Sequence, residues 1–457
     1  MTLHLPAVSQ ISMAVDVLEQ GQRPRIGRVP CRIGEQILFR ADVLGSYFFA
    51  DWDAAAYDLL LVAGVIEYCD LSCPRSKVHW PRTFDLRIPV HDPELWNSPE
   101  VQIALSSAAK VGTSDSWSFE FTKRRAAHPS PLKQSLPLPN NAAFSMAFSD
   151  GLDSKSVAAL LAKAHGPDAA MRIRVGQSGR DVANKRAFAA VPFSVKVWGR
   201  RESSFRSRGF KFAAISAVAA KLGKLHHVIV PESGQGALGP AILPLRPTSP
   251  DYRNHPRFFK AMERLVESVL QHAVSYEQPR LWSTKAETIR EAHTHAGLSV
   301  DDIISTRSCW QKRNYVNFDG AFHQCGVCAA CILRRVSLTA ANIPESEDGY
   351  TFADLNAASV SEAARPSLNV RNLEGIEPHA RAACRHMHLF GQIVPVAEDR
   401  HGFHTHASEI ARAIGTQTSE VEKLLAELVE RHAEEWRRFV NALDERSFVK
   451  DSIRGLG

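Results

Sequence analysis

Phe144-Ser145-Met146-Ala147-Phe148-Ser149-Asp150-Gly151-Leu152-Asp153-Ser154-Lys155-Ser156 decides the fold. Its first residues read as a buried strand, Ser149 to Ser154 as a turn of small residues, and the remainder as the start of a helix. Such a turn lets backbone N–H groups face an anion, and the helix N-terminus adds its partial positive charge. Downstream, strand-like and helical runs alternate: helix from Ser154, strand Met171 to Val175, helix to Ala190, strand Phe193 to Val197, helix Gly209 to Leu222, strand His226 to Val230. This alternation predicts right-handed crossovers and an α/β fold, a doubly wound and mostly parallel sheet with ligands at the C-terminal strand ends. Taken by itself, the turn also fits an ordinary βα corner without a ligand.

Further along, Cys309 is followed by Cys325-Gly326-Val327-Cys328-Ala329-Ala330-Cys331. Two tight spacings and one longer loop suit a tetrahedral zinc site of four cysteines, because a CxxC turn aims both sulfurs at one point. No fifth donor lies nearby, so the site is expected to be closed and structural. An iron–sulfur cluster uses the same ligand set, and buried unligated thiols are the plainer alternative.

The two motifs in this order resemble the 7-cyano-7-deazaguanine synthase family of PP-loop ATP pyrophosphatases, whose sheet is of the adenine nucleotide alpha hydrolase type. Shorter matches extend the resemblance: Gly176-Gln177 after the second strand, Arg208 with Phe212, Pro231-Glu232-Ser233-Gly234 after a later strand, Thr284-Lys285-Ala286-Glu287, Ser308-Cys309-Trp310, and Leu333-Arg334 after the last cysteine. It covers about residues 142 to 338. The resemblance implies that Phe148, Ser149, Asp150, Gly151, Leu152, Asp153 and Ser154 hold the phosphates of ATP, with Asp153 also a Mg²⁺ ligand. Gly176 and Gln177 would approach the nucleotide or purine. Arg208 and Lys285 would neutralise phosphate or substrate carboxylate and, with Asp153, carry the catalytic work, Arg206 being the substitute for Arg208. Glu287 would orient Lys285 or grip the guanine edge. Cys309, Cys325, Cys328 and Cys331 would hold structural zinc. Outside this motif context each lone charge reads as a solvated surface residue. Asp150 departs from the family pattern, which has glycine there. Aspartate tolerates a left-handed backbone, but its carboxylate repels phosphate unless turned away or bridged by Mg²⁺.

The chemistry implied is activation of an inert acid. The carboxylate of 7-carboxy-7-deazaguanine attacks the α-phosphate of ATP, pyrophosphate leaves, and an amine then displaces AMP from the acyl-adenylate. Ammonia gives an amide, and a second activation and dehydration gives the nitrile. Positioning and charge neutralisation suffice, without a protein nucleophile.

With 457 residues, 44% hydrophobic and 23% charged, the chain is expected to fold as two or three domains. Apolar runs such as Leu59 to Ile66 are too short to span a bilayer, and Met1 to Leu18 lacks a signal-peptide pattern. The expectation is a cytoplasmic protein that does not enter the membrane. Cys31, Cys69, Cys73 and Cys384 need no disulfide, and Cys69-x₃-Cys73 reads as core rather than half a metal site. The net charge is +6, from 55 Lys and Arg against 49 Asp and Glu, too modest to identify a nucleic-acid binder. Lys123-Arg124-Arg125 reads as a solvated linker edge and Arg200 to Lys211 as lining the site.

Pro129, Pro131, Pro137 and Pro139 mark a linker, giving an N-terminal α+β accessory domain (1–128), a linker (129–141), a PP-loop domain with the four-cysteine site (142–343) and a C-terminal helical region (350–457). In the first region Asp58 to Tyr68, Thr83 to Val90 and Trp117 to Phe121 read as strands, Pro99 to Lys110 as a helix, and Trp80, Trp96 and Trp117 as core. In the central region Pro256 to His272 reads as an amphipathic helix. In the last region Val421 to Leu443 keeps helical spacing, with Ser419 and Glu422 as a capping box. Ala407 to Gly415 has a helix-turn-helix order without a recognition-helix charge pattern, and His404-x-His406 reads as paired loop histidines before it reads as a second metal site. Long, elaborated relatives resemble those of bacterial anti-phage defence operons, so a protein partner presented as acceptor is expected, and relatives suggest a homodimer. Housekeeping synthesis of the free nitrile for queuosine, a tRNA-modifying PP-loop enzyme and a nucleotide-sensing subunit without turnover are the alternatives.

Overall fold

The computed structural model describes residues 11–39, 53–76, 80–126, 141–149, 151–176, 188–244, 248–311, 316–318, 321–365, 373–393 and 400–456. Asp150, Gln177 and residues 129–140 of the proline-rich stretch lie outside these. In chain order the strands used below are β1 (Ser12–Leu18), β2 (Val29–Arg32), β3 (Ile37–Phe39), β4 (Thr83–Val90), β5 (Ser116–Lys123), β6 (Phe144–Ala147), β7 (Ala170–Gly176), β8 (Phe188–Val195), β9 (His227–Ile229) and β10 (Ser275–Glu277). The principal helices are α1 (Ala54–Ser72), α2 (Pro99–Thr113), α3 (Leu152–His165), α4 (Arg208–Leu222), α5 (Gly234–Ile242), α6 (Pro256–Leu270), α7 (Lys285–Thr294), α8 (Ala329–Ala340), α9 (Leu373–Phe390), α10 (Arg400–Ile414), α11 (Thr418–Asn441) and α12 (Phe448–Ile453). They pack as two compact units that ignore chain order. One comprises Met1–Phe148, Asp168–Val230 and Arg246–Glu277, the other Ser149–Pro167, Pro231–Leu245 and Gln278–Gly457.

The first unit carries a six-stranded sheet of order β10-β9-β6-β7-β8-β3. Strands β6 to β10 pair in parallel, and β3 adds antiparallel to the β8 edge. From β6 the order runs outward both ways, β7 and β8 to one side, β9 and β10 to the other. This reversal is a topological switch point, where α/β sheets bind ligands beyond their C-terminal strand ends. The chain leaves β6 straight into Ser149–Ser154.

The second sheet of this unit, order β2-β1-β4-β5, is parallel throughout. That corrects the α+β reading of the N-terminal region: α1 and α2 are crossovers between parallel strands, an α/β arrangement. The strand expected over Asp58 to Tyr68 is part of α1, in which every residue from Ala56 to Leu71 is buried. A helix buried all round has no amphipathic period, so its apolar run cannot be told from a buried strand by pattern. Asp53 caps it, accepting from the Ala56 N–H at 2.9 Å. Its three internal carboxylates are all paired, Asp58 with His91 at 2.6 Å, Glu67 with Lys211 at 2.8 Å and Asp70 with Arg82 at 2.6 Å. The helix expected to reach Ala190 is also corrected: Phe188–Val195 is strand β8, where pairing with β7 overrides the alanines' helical preference. In Lys123-Arg124-Arg125 the outer two residues are exposed, as expected, whereas the Arg124 guanidinium lies 4.5 Å over the Tyr57 ring and 3.7 Å from Glu19. Trp96 and Trp117 are core, as are Cys69 and Cys73.

The second unit is helical. One core gathers Cys325, Cys331 and Val336 with Ile376, Cys384, Trp436 and Phe448, and another gathers Leu238, Leu281 and Phe390 with Val421, Leu425 and Leu428. A third, smaller cluster packs Leu152, Ile289, Ile303 and Leu338 directly beneath the first turn of α3. The Ser419–Glu422 capping box does not form. Helix α11 begins at Thr418 behind Gln417, which makes no side-chain cap, and Glu422 pairs with His404 at 2.7 Å. Among the described residues, no helix is long and apolar enough to cross a membrane.

Candidate functional site

The turn before α3 is closed by its own serines. Ser149 N–H donates to Ser154 Oγ at 3.3 Å, the two hydroxyls lie 3.2 Å apart, and Gly151 N–H donates to Ser149 Oγ at 3.2 Å. Gly151 is the N-cap of α3, and no side chain caps that helix, so its first amides are left for an anion. A Cβ at Gly151 would stand 2.8 Å from Ser149 Oγ, so a larger residue there would displace the hydroxyl that accepts the Gly151 N–H. Asp153, in the first turn of α3, forms an ion pair with Lys285, whose side chain is 7% exposed.

Lys285 is the first residue of α7, and the sequence motif around it turns out to be a helix start. Thr284 caps α7 through a complete capping box: Glu287 N–H donates to Thr284 Oγ1 at 3.1 Å, and Thr284 N–H donates to the Glu287 carboxylate at 2.7 Å. Glu287 is thus engaged at the cap and, at 3.0 Å, by Arg431; it is Asp153 that pairs with Lys285. Lys285 N–H donates to Gln235 Oε1 at 2.7 Å. Three residues here escaped the sequence reading: Gln235, His432 and Glu435. The amide of Gln235 meets His432 Nδ1 at 2.9 Å and Glu435 at 3.4 Å, and Thr284 Oγ1 donates to Glu435 at 2.5 Å. Burial pushes Glu435 up to about 7 and His432 down to about 4. The available signal was position: His432 and Glu435 lie along the same helix as the buried stripe Leu425, Leu428, Trp436, yet in the run Glu430 to Arg438 they pass for a solvated face.

The four cysteines converge. Their sulfurs all lie within 4.8 Å of one another, and Cys325 and Cys331 are 3.8 Å apart. A tetrahedral zinc with bonds of about 2.3 Å has sulfur–sulfur edges of about 3.8 Å. Backbone N–H groups of Cys325 and Gln311 donate to Cys309 Sγ at 3.3 and 3.4 Å, and that of Cys328 to Cys325 Sγ at 3.2 Å. Gly326 takes φ +89°, and a Cβ there would be 2.4 Å from the Phe352 carbonyl oxygen. Hydrogen bonds from the neighbouring thiols hold Cys309 well below the usual thiol range. This donor set fits zinc in a closed, structural site. Among the described residues it is the only such cluster of metal-ligating side chains.

The cysteine lobe and the helix after the turn grip one segment between them. Arg334, fully buried, donates to the carbonyl oxygens of Ile303 and Thr306 at 3.2 and 3.3 Å and pairs with Glu345 at 2.7 Å. Ser308 N–H donates to Gln324 at 2.9 Å. From the other side Lys155 of α3 donates to Ser305 Oγ at 3.1 Å and to the Asp302 carbonyl oxygen at 3.4 Å.

Phe148, Gly176 and Arg208 belong to the first unit. Phe148 N–H continues the β6–β7 ladder to the Ile173 carbonyl at 2.8 Å, and Gly176 ends β7 next door. Arg208 opens α4 with its guanidinium 5.4 Å over the Phe212 ring. Arg206 is buried, donating to the carbonyl oxygens of Ser249 and Pro250 at 2.7 and 2.8 Å and lying 3.5 Å from Asp251. Burial lowers it to about 10. That placement makes Arg206 a structural group.

Fold and site together define an α/β protein with a small-residue turn opening onto an uncapped helix N-terminus and a four-cysteine cluster with the geometry of a metal centre. Residues 248–342 match the family Queuosine biosynthesis protein QueC. No curated protein and no solved structure matches the chain. The match spans α6 to α8 and takes in Lys285 and all four cysteines, and it points to ATP-dependent chemistry of the QueC kind.

Proposed function

We propose that this protein adenylates the carboxylate of 7-carboxy-7-deazaguanine and passes the acyl group to an amine. The observation that carries the reading is the shared segment 303–308, held by the cysteine lobe through Arg334 and Gln324 and, from the helix that follows the turn, by Lys155. A metal-braced scaffold set against an uncapped helix N-terminus suits a reaction whose demand is positioning and neutralisation of phosphate charge. ATP lies with its phosphates over Ser149–Ser154 in a PP-loop fold. Lys285 neutralises the phosphates and Arg208 the substrate carboxylate, and Asp153 would hold the Mg²⁺ that accompanies ATP, which would supply further neutralisation of phosphate charge. The carboxylate oxygen attacks the α-phosphorus and pyrophosphate leaves. The amine nitrogen then attacks the acyl carbon, AMP leaves with the bonding pair, and the amine proton passes to solvent.

The same proposal divides the chain functionally into an accessory region (1–128), a linker (129–141), the PP-loop region with its zinc (142–343) and a helical region (350–457), in a cytoplasmic homodimer. The large additions favour a defence-associated enzyme whose acceptor is a partner protein over housekeeping synthesis of the nitrile. Pyrophosphate release measured with ATP and 7-carboxy-7-deazaguanine tests the chemistry. Release is expected to depend on both substrates and to fall at least about a hundredfold in Asp153→Ala, on the scale of losing one preorganised charged group. Release unchanged in that variant removes the turn from the reaction.

A further inference from the structure

The relay behind Lys285 ends on a helix of the C-terminal region. Glu435 on α11 accepts from Thr284 Oγ1 at 2.5 Å and from the Gln235 amide at 3.4 Å. Thr284 Oγ1 in turn accepts Glu287 N–H, and Gln235 Oε1 accepts Lys285 N–H. Both amides belong to the first turn of α7, whose first side chain reaches Asp153 in the phosphate turn. His432 fixes the orientation of this amide: its Nε2–H donates to the Met387 carbonyl at 2.7 Å, so Nδ1 must accept from Gln235.

We propose that Glu435 is a positioning residue for Lys285, holding the start of α7 through Thr284 and Gln235, and that ionisation of its carboxyl steadies Lys285 for the step in which pyrophosphate leaves. This rests on the functional reading above. As a carboxylate, Glu435 is a strong acceptor for both donors and polarises Thr284 and Gln235 toward the two backbone N–H groups. As a neutral acid it is a weak acceptor, and its own proton competes for Thr284. Burial places the exchange between these forms at about 7. The charges acting on it are Glu287 and Arg290 of α7, while on its own helix Arg431 pairs with Glu287, Arg438 donates to Asn342 and His432 holds the Gln235 amide. On the other helices packed against α11, His404 of α10 pairs with Glu422, Arg334 and Arg335 of α8 bond to carbonyls elsewhere, and of the α9 histidines His388 accepts from Trp436, His386 is buried beside Phe390 and His379 is exposed.

Two measurements on the full chain separate the relay from the reaction. Hydrogen exchange at Lys285 and Glu287, corrected for intrinsic rates, is expected to slow about threefold to tenfold between pH 6 and 8 in the wild type and to stay flat in Glu435→Gln, the size of one neutral-to-charged hydrogen bond. Pyrophosphate release should show a kcat rise centred near pH 7. That rise should vanish in Glu435→Gln and in Thr284→Val, with KM for ATP changing less than kcat. Wild-type exchange that does not respond to pH, or a kcat rise that survives in Glu435→Gln, overturns the proposal. If exchange responds as expected and no pyrophosphate forms, the relay stands and the adenylation reading fails.

Discussion

Glu435 makes a testable trade at the scale of one residue. Burial raises its carboxyl from 4.5 to about 7. A folded-state value above the unfolded one means the native state binds the proton more tightly, so stability is greatest below 4.5 and falls as pH rises to about 7. The full cost above pH 7 is roughly 3 kcal/mol by linkage. Glu435→Gln removes the ionisation and keeps the shape. Urea denaturation is therefore expected to find the variant more stable than wild type at about pH 8, by about 1–3 kcal/mol, with the gap closing by about pH 5. A purely structural carboxylate would give the opposite sign. Groups that cost stability while serving a site are a recognised pattern, and here the cost falls on a residue that braces the start of α7 from another helix.

At the scale of elements, the metal lobe is where sequence and structure agree most closely. Four cysteines at these spacings have few other uses, and the turn glycine Gly326 lies where the close approach of Phe352 demands it. The strand, small-residue turn and helix running from Phe144 to His165 were legible for the same reason, since small residues between a strand and a helix leave little choice. Other elements were misread because their cause is tertiary. α1 is buried on every face, and β8 is a strand only because β7 lies beside it. The relay was invisible because its members come from three distant stretches, Gln235, Thr284 and Glu435. The shared segment yields the element-scale prediction. Chelation should release one zinc per chain and lower Tm, since structural zinc sites carry folding energy outright. It should also abolish pyrophosphate release, because residues 303–308 lose the lobe that fixes Arg334. Arg334→Met tests this link without touching a ligand. Breaking a buried ion pair and its carbonyl bonds costs on the order of 3–5 kcal/mol, and release should fall while the zinc stays bound. Full activity in a folded, zinc-loaded Arg334→Met would detach the metal lobe from the site.

On the scale of the whole molecule, the question is whether the C-terminal helices are an appendage or part of the enzyme. The second unit is assembled from Ser149–Pro167, Pro231–Leu245 and Gln278–Gly457, so the phosphate turn, Gln235, the cysteines and α11 fold together. Helices α9 to α12 supply Ile376, Phe390, Phe403, Ile410, Leu425, Leu428, Trp436, Phe439 and Phe448, all buried, to the cores that hold α5 and α8. Each such side chain contributes roughly 1.5–3 kcal/mol on full burial. Removing this layer would bare the apolar faces they cover, Leu238 on α5 and Ile332 and Val336 on α8, so the fold beneath depends on it. A chain ending at residue 372 is therefore expected to be insoluble or to retain no zinc, and to release no pyrophosphate. Co-expression of residues 373–457 as a separate polypeptide should restore zinc content, because the apolar faces of α5 and α8 remain complementary to it. A docking module would behave differently: the shortened chain would stay soluble, keep its metal and turn over ATP, losing only its partner protein. Recovery of a zinc-loaded, active 1–372 fragment would therefore reassign α9 to α12 to partner binding and leave Glu435 without a place in the chemistry.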